Sequence, residues 1–265
     1  MDDRQKYLFD LQGYLLIEDV LSGEDCDLAI EKIKARVKPM EKTPDGYDAN
    51  GTWENAAGLY EAGEPFIKLI DDAKISAILT EIIGPSLRCE SCYSFVRHKD
   101  CPPFEMHGGQ RGGGVNFRYS VHNGRIYTGL TVVSIALQDI GEQDGGFACI
   151  PGSHKSDFSM PAEDRKELFA LGGALVRNIA APKGSAIIFT ETLAHGAASW
   201  QGAGARYGLF YKFNDRAATY HAQEPRRPST EAFAQMTDAQ KCYFNLAYQA
   251  FGPPENPVND RPQFG

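Results

Sequence analysis

The stretch Gly145-Gly-Phe-Ala-Cys-Ile-Pro-Gly-Ser-His-Lys155 places a short apolar run between two glycines and a Pro-Gly pair. The apolar residues 147–150 have the length and the flanking turn residues of a buried β-strand. A Pro-Gly pair interrupts a strand and is typical of a turn. The segment therefore predicts a strand that ends in a tight turn.

Similar apolar runs lie on both sides of this segment, separated by clusters of Gly, Pro, Asn and Asp. They are Tyr93–Arg97, Tyr127–Leu137, Leu175–Ile179, Ser185–Phe189 and Tyr207–Phe213. Several short strands at this spacing are typical of an all-β sandwich or barrel, not of strands that alternate with helices. We therefore expect a β core over residues 87–214 of one domain that spans residues 1–265.

The regions that flank the β core have helical patterns. Residues 1–85 are predicted to be mainly helical, and so is the tail, residues 215–265. The predicted helices are Asp2–Gln12, Ser22 to about Val37, Ala73–Ile83 and Thr230–Tyr248, whereas Tyr14–Ile17 reads as a short strand and Glu41–Trp53 as a loop. Gly13 and the pair Gly84-Pro85 are expected to end the helices that precede them.

Composition excludes several classes of protein. The 27 Lys and Arg residues against 35 Asp and Glu residues give a net charge of −8, which disfavours a nucleic-acid partner. No apolar run approaches the roughly 20 residues that cross a bilayer, and the charged start lacks the apolar core of a secretory signal. We expect a soluble cytoplasmic protein with no membrane partner. The glycine-rich residues 108–114 lack the pattern of a phosphate-binding loop.

The six cysteines do not have the spacing of a disulfide framework. Cys89-x-x-Cys92 resembles half of a zinc knuckle, with Cys101 nearby, but no second pair follows at a suitable distance. The segment 87–97 also reads as a strand, in which residues three apart point to opposite faces. Reduced, structural thiols are therefore the favoured interpretation.

Two histidines and one arginine occupy positions suited to a common site. His195 follows the apolar strand residues 184–189, and Arg206 opens the next apolar strand eleven residues later. His107 lies at the other end of the β region, inside residues 104–109. Imidazoles from separate strands of a barrel commonly hold non-heme iron. The pattern indicates a candidate iron site at one mouth of the barrel.

These features together resemble the phytanoyl-CoA dioxygenase family of iron(II)- and 2-oxoglutarate-dependent oxygenases. The segment 145–155 matches the family's G-x-L-x-x-x-P-G-S-H-K motif, and Gly13-Tyr-Leu-Leu-Ile-Glu-Asp-Val-Leu-Ser22 matches its N-terminal pattern. The interval from His195 to Arg206 matches that between the distal iron histidine and the arginine of the co-substrate site. The resemblance covers roughly residues 5–215.

The resemblance implies a mainly β fold with flanking helices, a double-stranded β-helix of the jelly-roll, cupin-like type. It implies an oxidoreductase that uses iron(II), 2-oxoglutarate and dioxygen on a small-molecule substrate. His107 and His195 would bind the metal, and Arg206 would bind the far carboxylate of 2-oxoglutarate. Ser134 aligns with a position that lines the co-substrate.

The sequence departs from the family at the metal carboxylate. The family motif is His-x-Asp, but here His107 is followed by Gly108 and Gly109. The related halogenases also carry a small residue there, and chloride occupies the open position, so Gly109 marks a candidate halide site. The alternatives are a hydroxylase with water or a relocated carboxylate, and a non-catalytic binding protein on the same scaffold. The candidate carboxylates are Glu105, Glu191 and Asp144. His122 competes with His107 as the proximal ligand.

The other candidate residues carry weaker predictions. His154 belongs to the turn segment and is expected to make structural hydrogen bonds. His98 and His221 are expected to be solvated, and Trp200 to pack in the core or to cover the pocket. Arg111, Arg118 and Arg125 are interpreted as a solvated loop face, with an anion-binding cluster as the alternative.

Overall fold

The computed structural model describes residues 1–109, 114–160, 172–218, 220 and 227–245. Antiparallel β-structure dominates these residues, as the sequence predicts. The strands are β1 (Tyr14–Ile17), β2 (Lys38–Pro39), β3 (Trp53–Ala57), β4 (Leu87–Arg97), β5 (Phe104–His107), β6 (Tyr119–His122), β7 (Arg125–Thr128), β8 (Thr131–Ala136), β9 (Phe147–Cys149), β10 (Arg177–Asn178), β11 (Ala186–Thr190), β12 (His195–Ala197) and β13 (Arg206–Asp215).

The strands form two main sheets and one hairpin. The larger sheet has seven strands in the order β1-β11-β8-β13-β4-β3-β2, and the smaller has four in the order β10-β9-β12-β5. Among the described residues, strands β6 and β7 pair only with each other. Because neighbours in these sheets are distant in sequence, the chain passes repeatedly between the sheets, as in a jelly roll. This arrangement confirms the predicted mainly β, double-stranded β-helix class.

Two apolar layers hold the sheets in place. Between the sheets, Phe147 of β9 packs on Phe189 of β11, with ring centroids 4.5 Å apart. On the outer face of the larger sheet, the buried residues Ile33 and Leu79 of the helices join Leu209 in a second cluster. The larger sheet is therefore buried on both faces, which explains its continuous apolar runs.

The helices lie in the flanking regions, where they were predicted. They are α1 (Asp3–Gln12), α2 (Gly23–Lys34), α3 (Ala73–Ile82), α4 (Thr230–Ala234) and α5 (Asp238–Cys242). Asp2 and Gln5 form a capping box at α1, which ends at Gly13 with a left-handed φ of 83°. Ser22 caps α2 as predicted, but this helix ends three residues before Val37.

Several boundaries differ from the sequence prediction. The run 127–137 is divided between β7 and β8, because the chain turns at Gly129 and Leu130. The last residue of the predicted loop 41–53 is instead the first of β3, which lies second from the edge of the larger sheet and which the polar composition concealed. The predicted helix 230–248 is two short helices, since Thr237 starts a new capping box with Gln240; residues 246–248 lie outside the described part. Within the described residues, no helix has the length and apolarity needed to span a bilayer.

Candidate metal and co-substrate site

A cavity of about 810 Å³ lies between the two main sheets. Its wall on the larger sheet follows from strand alternation, because every second side chain points to the same face. On β13 the residues that line it are Arg206, Phe210 and Lys212. On β4 they include Ser91, Tyr93, Phe95 and Arg97, and the smaller sheet contributes Phe104, His107, Phe147 and His195.

His107 and His195 face each other inside this cavity. They are register partners on β5 and β12, and their ring centroids are 4.1 Å apart. The Nδ1 atom of His107 lies 3.1 Å from the carbonyl of Glu105, and that of His195 lies 2.7 Å from the carbonyl of Leu193. Because a carbonyl only accepts, each Nδ1 carries the proton and each Nε2 keeps a lone pair for a metal.

The carboxylate of Glu191 joins the two imidazoles. One ligand atom from each of His107, Glu191 and His195 lies within 4.8 Å of the other two. Glu191 follows β11, and its side chain is buried at the back of the cavity. Two imidazoles and one carboxylate are the ligand set typical of non-heme iron(II) oxygenases. The three residues therefore have the chemistry and the spacing to share one iron ion.

Lys212 forms an ion pair with the Glu191 carboxylate. Its Nζ lies 3.1 Å from Oε1 of Glu191, and both side chains are largely buried. Burial would raise the pKa of Glu191, but the charge and the hydrogen bond of Lys212 hold it below its ordinary value. Oε2 is buried and has no hydrogen-bond partner among the described residues. The carboxylate is thus ionised, with one oxygen fixed and the other free for a metal.

The electrostatics of His195 also suit a metal ligand. Burial first, and then the neighbouring His107, lower its pKa to about 3. At neutral pH the imidazole is therefore uncharged, which is the form that binds metal ions.

Arg206 lies at the opposite end of the cavity wall as the first residue of β13. It is only 4% exposed, and within the residues that the structure describes its buried Nε has no hydrogen-bond partner. Burial, followed by the charge of Arg97, lowers its pKa to about 9, so the guanidinium is still charged at neutral pH. A buried charge without a partner is costly, which suits an anionic ligand such as the far carboxylate of 2-oxoglutarate.

The structure places the competing candidates outside this group. His122 is exposed on the β6–β7 hairpin, and Glu105 accepts a 2.8 Å hydrogen bond from the hydroxyl of Tyr47. Asp144 closes a turn by accepting from the backbone N–H of Gly141. Ser134 is buried on β8 but does not line the cavity, so its role beside the co-substrate stays a prediction.

Gly109 lies at the end of the segment that carries His107. Its backbone N–H donates to the carbonyl of Thr192 at 2.9 Å, and its φ of 86° is in the left-handed region. That region favours glycine, so the local backbone gives a structural reason for the residue besides the removal of a carboxylate.

The remaining predicted residues are structural in the described part of the chain. His154 is fully buried and its Nε2 bonds the carbonyl of Asp10, as expected of the turn segment. Trp200 is buried without lining the cavity, and His98 pairs with Glu54. Arg118 donates to the carbonyl of Thr128, and Arg125 stacks on Tyr127, so these two residues make separate contacts. Arg111 and His221 lie outside the described residues.

Lys212 is the site residue that sequence reasoning missed. Its signal is its position, because it lies at the same strand parity as Arg206 in a strand that is otherwise mostly apolar. A charged side chain on the inward face of such a strand needs a partner, and Glu191 is that partner.

Comparison with known proteins agrees with this fold. The family model described as Phytanoyl-CoA dioxygenase (PhyH) matches residues 9–208. No curated protein sequence matches the chain.

Solved structures with the same fold include HygX from Streptomyces hygroscopicus with nickel and 2-oxoglutarate bound. It has a TM-score of 0.71 at 21% identity, over 86% of this chain and 95% of that one. HygX with nickel, 2-oxoglutarate and hygromycin B bound has a TM-score of 0.71 at 22% identity, over 86% of this chain and 96% of that one. EctD from S. alaskensis with bound Fe has a TM-score of 0.59 at 17% identity, over 86% of this chain and 80% of that one.

Proposed function

The chain belongs to the phytanoyl-CoA dioxygenase family, and from that premise we propose that it hydroxylates a C–H bond of a small molecule through an iron site completed by Glu191. As a member of this family it is a non-heme iron and 2-oxoglutarate oxygenase. When bound, iron(II) with 2-oxoglutarate and dioxygen supplies the oxidising chemistry that breaks the C–H bond.

The observation that carries the proposal is the cluster of His107, Glu191 and His195. Their ligand atoms lie within 4.8 Å of one another, and Oε2 of Glu191 is buried without a hydrogen-bond partner among the residues described. An ionised, buried acceptor without a donor is expensive unless a cation satisfies it. A divalent metal at this point would satisfy that oxygen and both free imidazole nitrogens.

In this proposal Glu191 supplies the metal-binding carboxylate that is missing at Gly109. The family carboxylate comes from two residues after the proximal histidine, on the same strand segment. Here the chain would provide it from the residue that follows β11, four positions before His195. Lys212 keeps that carboxylate ionised and holds one oxygen in an ion pair, which leaves the other oxygen as the proposed metal ligand.

Arg206 is proposed to anchor the far carboxylate of 2-oxoglutarate. It lines the same cavity as the metal cluster, and its guanidinium has no ion pair among the described residues. Arginine presents parallel N–H groups that match the two oxygens of a carboxylate. Binding there would leave the 2-oxo acid end of the molecule free for the metal.

The aromatic side chains of the cavity keep the reacting region dry. Tyr93 stacks on Phe210 with ring centroids 5.3 Å apart, and Phe95 packs edge-on against Tyr93 at the same distance. Trp53 extends this wall at 5.7 Å from Phe95. An apolar wall of this kind excludes water and accepts an apolar part of a substrate.

Chlorination is the second candidate reaction, and Gly109 is the observation that favours it. Lys212 balances the charge of Glu191, so the pair together adds no net charge to the metal site. A halide could then supply the negative charge that an aspartate at position 109 would have brought. In this version Glu191 serves the ion pair and the halide takes the open metal position.

An anaerobic titration of the whole protein with iron(II) and 2-oxoglutarate tests the proposed function. We expect a visible charge-transfer band that forms in wild type without added chloride and is lost in Arg206→Gln at the same co-substrate concentration. Absence of the band in wild type would contradict the proposal. Formation of the band only when chloride is present would favour the chlorination reaction instead.

A further inference from the structure

Two buried arginines lie side by side at one end of the cavity. Arg97 is the last residue of β4 and Arg206 the first of β13, and the two are direct register partners. They are 2% and 4% exposed, and both line the cavity. Directly opposed residues of antiparallel strands have Cβ atoms about 5 Å apart, so the two positive charges are close neighbours.

Backbone carbonyls hold Arg97 in place. Its Nη2 donates to the carbonyl of Ala198 at 2.6 Å, and its Nη1 donates to that of Gly145 at 3.3 Å. Its guanidinium lies over the ring of Trp53, 4.7 Å from the centroid. These contacts fix the position of the guanidinium but bring no full negative charge to it.

No carboxylate of the described residues forms an ion pair with either arginine. The Nε atoms of both are buried and have no hydrogen-bond partner in the described part of the chain. Glu191, the carboxylate in the cavity lining, is already paired with Lys212. Two adjacent buried cations without an anion repel each other and are costly, so the arrangement indicates a negatively charged ligand at this end.

We propose that Arg97 is a specificity-determining residue for the co-substrate, because it adds a second positive charge at the far carboxylate of 2-oxoglutarate. This inference rests on the proposed function, which assigns that carboxylate to Arg206. Arg206 donates hydrogen bonds to the carboxylate, and Arg97 acts through its charge. The pair therefore selects 2-oxo acids that carry a distal carboxylate against those that lack one.

Calorimetric binding to the nickel(II)-loaded protein measures this selectivity without turnover. The two probes are 2-oxoglutarate and 2-oxopentanoate, which has the same five-carbon chain without the distal carboxylate. Selectivity is the ratio of their dissociation constants. We expect Arg97→Gln to reduce the wild-type selectivity by about ten-fold or more, through weaker binding of 2-oxoglutarate. Arg97→Lys, which keeps the positive charge, should retain most of the wild-type selectivity.

Arg88→Gln is the matched control. Arg88 is another buried arginine of β4, but it lies near Glu90 and does not line the cavity, so selectivity should be unchanged. If Arg97→Gln weakens both probes equally, its role is structural and the inference is wrong. Unchanged selectivity in Arg97→Gln would also contradict it.

A second variant keeps the test decisive where Arg97→Gln does not fold. Arg206→Gln leaves Arg97 in place, so it should still prefer 2-oxoglutarate, by a smaller factor than wild type. Complete loss of the preference would show that Arg97 contributes nothing. Undiminished binding of 2-oxoglutarate to Arg206→Gln, in contrast, would contradict the proposed co-substrate site itself.

Discussion

The Nζ atom of Lys212 lies 3.1 Å from Oε1 of Glu191 inside the cavity, in an ion pair whose side chains are 13% and 6% exposed. The pair joins β13 to the residue that follows β11, and it leaves Oε2 of the carboxylate without a hydrogen-bond partner in the part of the chain that the structure describes. A buried ion pair contributes little net stability on its own, because both charges lose their hydration. Its effect here is on the charge and the orientation of the carboxylate beside His107 and His195.

Loss of one partner should be costly for the metal-free protein. Lys212→Met leaves a buried, unpaired carboxylate, so we expect the free energy of unfolding to fall by about 3–5 kcal/mol. The double variant Glu191→Gln/Lys212→Met removes both charges and should recover most of that loss. Chemical denaturation of the three proteins measures the effect. Equal losses in the single and the double variant would show that the lysine stem, not its charge, stabilises the site.

The two histidines should be required together for metal binding. Removing either imidazole takes away one of the three proposed ligands, so His107→Ala and His195→Ala should no longer bind one equivalent of iron(II) with high affinity. His122→Ala, an exposed residue of the β6–β7 hairpin, is the control and should bind as wild type does. Iron content after anaerobic loading and desalting measures the difference. Full occupancy in either site variant would contradict the assignment.

Gly109 provides the test for a halide. If a halide takes the open metal position, Gly109→Asp should abolish any dependence of co-substrate binding on chloride, because the carboxylate brings the same charge. Its φ of 86° makes every side chain strained by about 1–2 kcal/mol, so Gly109→Ala is the control that introduces the strain without the charge. The spectrum of the iron complex with and without chloride is the readout. A wild-type spectrum that chloride leaves unchanged would exclude this version of the site.

Acid should weaken the contact between α1 and the rest of the fold. Asp10 accepts hydrogen bonds from the hydroxyl of Tyr119 at 2.6 Å and from Lys155 at 2.8 Å. Burial would raise its pKa, but these two partners hold it below its ordinary value. A lowered folded pKa gives stability that is present above the unfolded value, roughly 3.9, and is lost as the pH falls through the folded value.

Asp10→Asn should therefore lower the free energy of unfolding by about 1 kcal/mol at pH 7, discounted for the exposure of the pair. The difference in the free energy of unfolding between Asp10→Asn and wild type should become smaller as the pH falls below about 4. Glu142→Gln, an exposed carboxylate without an ion pair among the described residues, should have no such pH-dependent effect. If the difference in the free energy of unfolding between Asp10→Asn and wild type stayed constant from pH 7 to below about pH 4, this explanation would be contradicted.

Much of the fold could be predicted from local pattern. The helices α1 to α3 have capping residues that mark their ends, and strands β8, β11 and β13 are apolar runs bounded by turn residues. The short strands β5 and β12 escaped prediction, because three or four residues with little apolar character have no pattern of their own. Their pairing is determined by the tertiary fold.

The candidate site could be predicted in part for the same reason. His195 and Arg206 were predicted from their positions beside apolar strands, and His107 from its place at the other end of the β region together with the family resemblance. Glu191 was one of three carboxylates, and only the path of the chain after β11 separates it from Glu105 and Asp144. Lys212 and Arg97 act through partners that are distant in sequence, so no local pattern could have paired them.

The affinity of the metal-free protein for iron(II), compared between wild type and Glu191→Gln, tests the central claim most directly. Glutamine keeps the size and one acceptor oxygen but removes the charge that the metal requires. If Glu191 completes the iron site, the dissociation constant of Glu191→Gln for iron(II) should rise by about a hundred-fold or more. That is more than the loss of a group that only hydrogen-bonds to a metal ligand would cause. An unchanged dissociation constant would contradict the account and leave the metal with the two histidines and the open position beside Gly109.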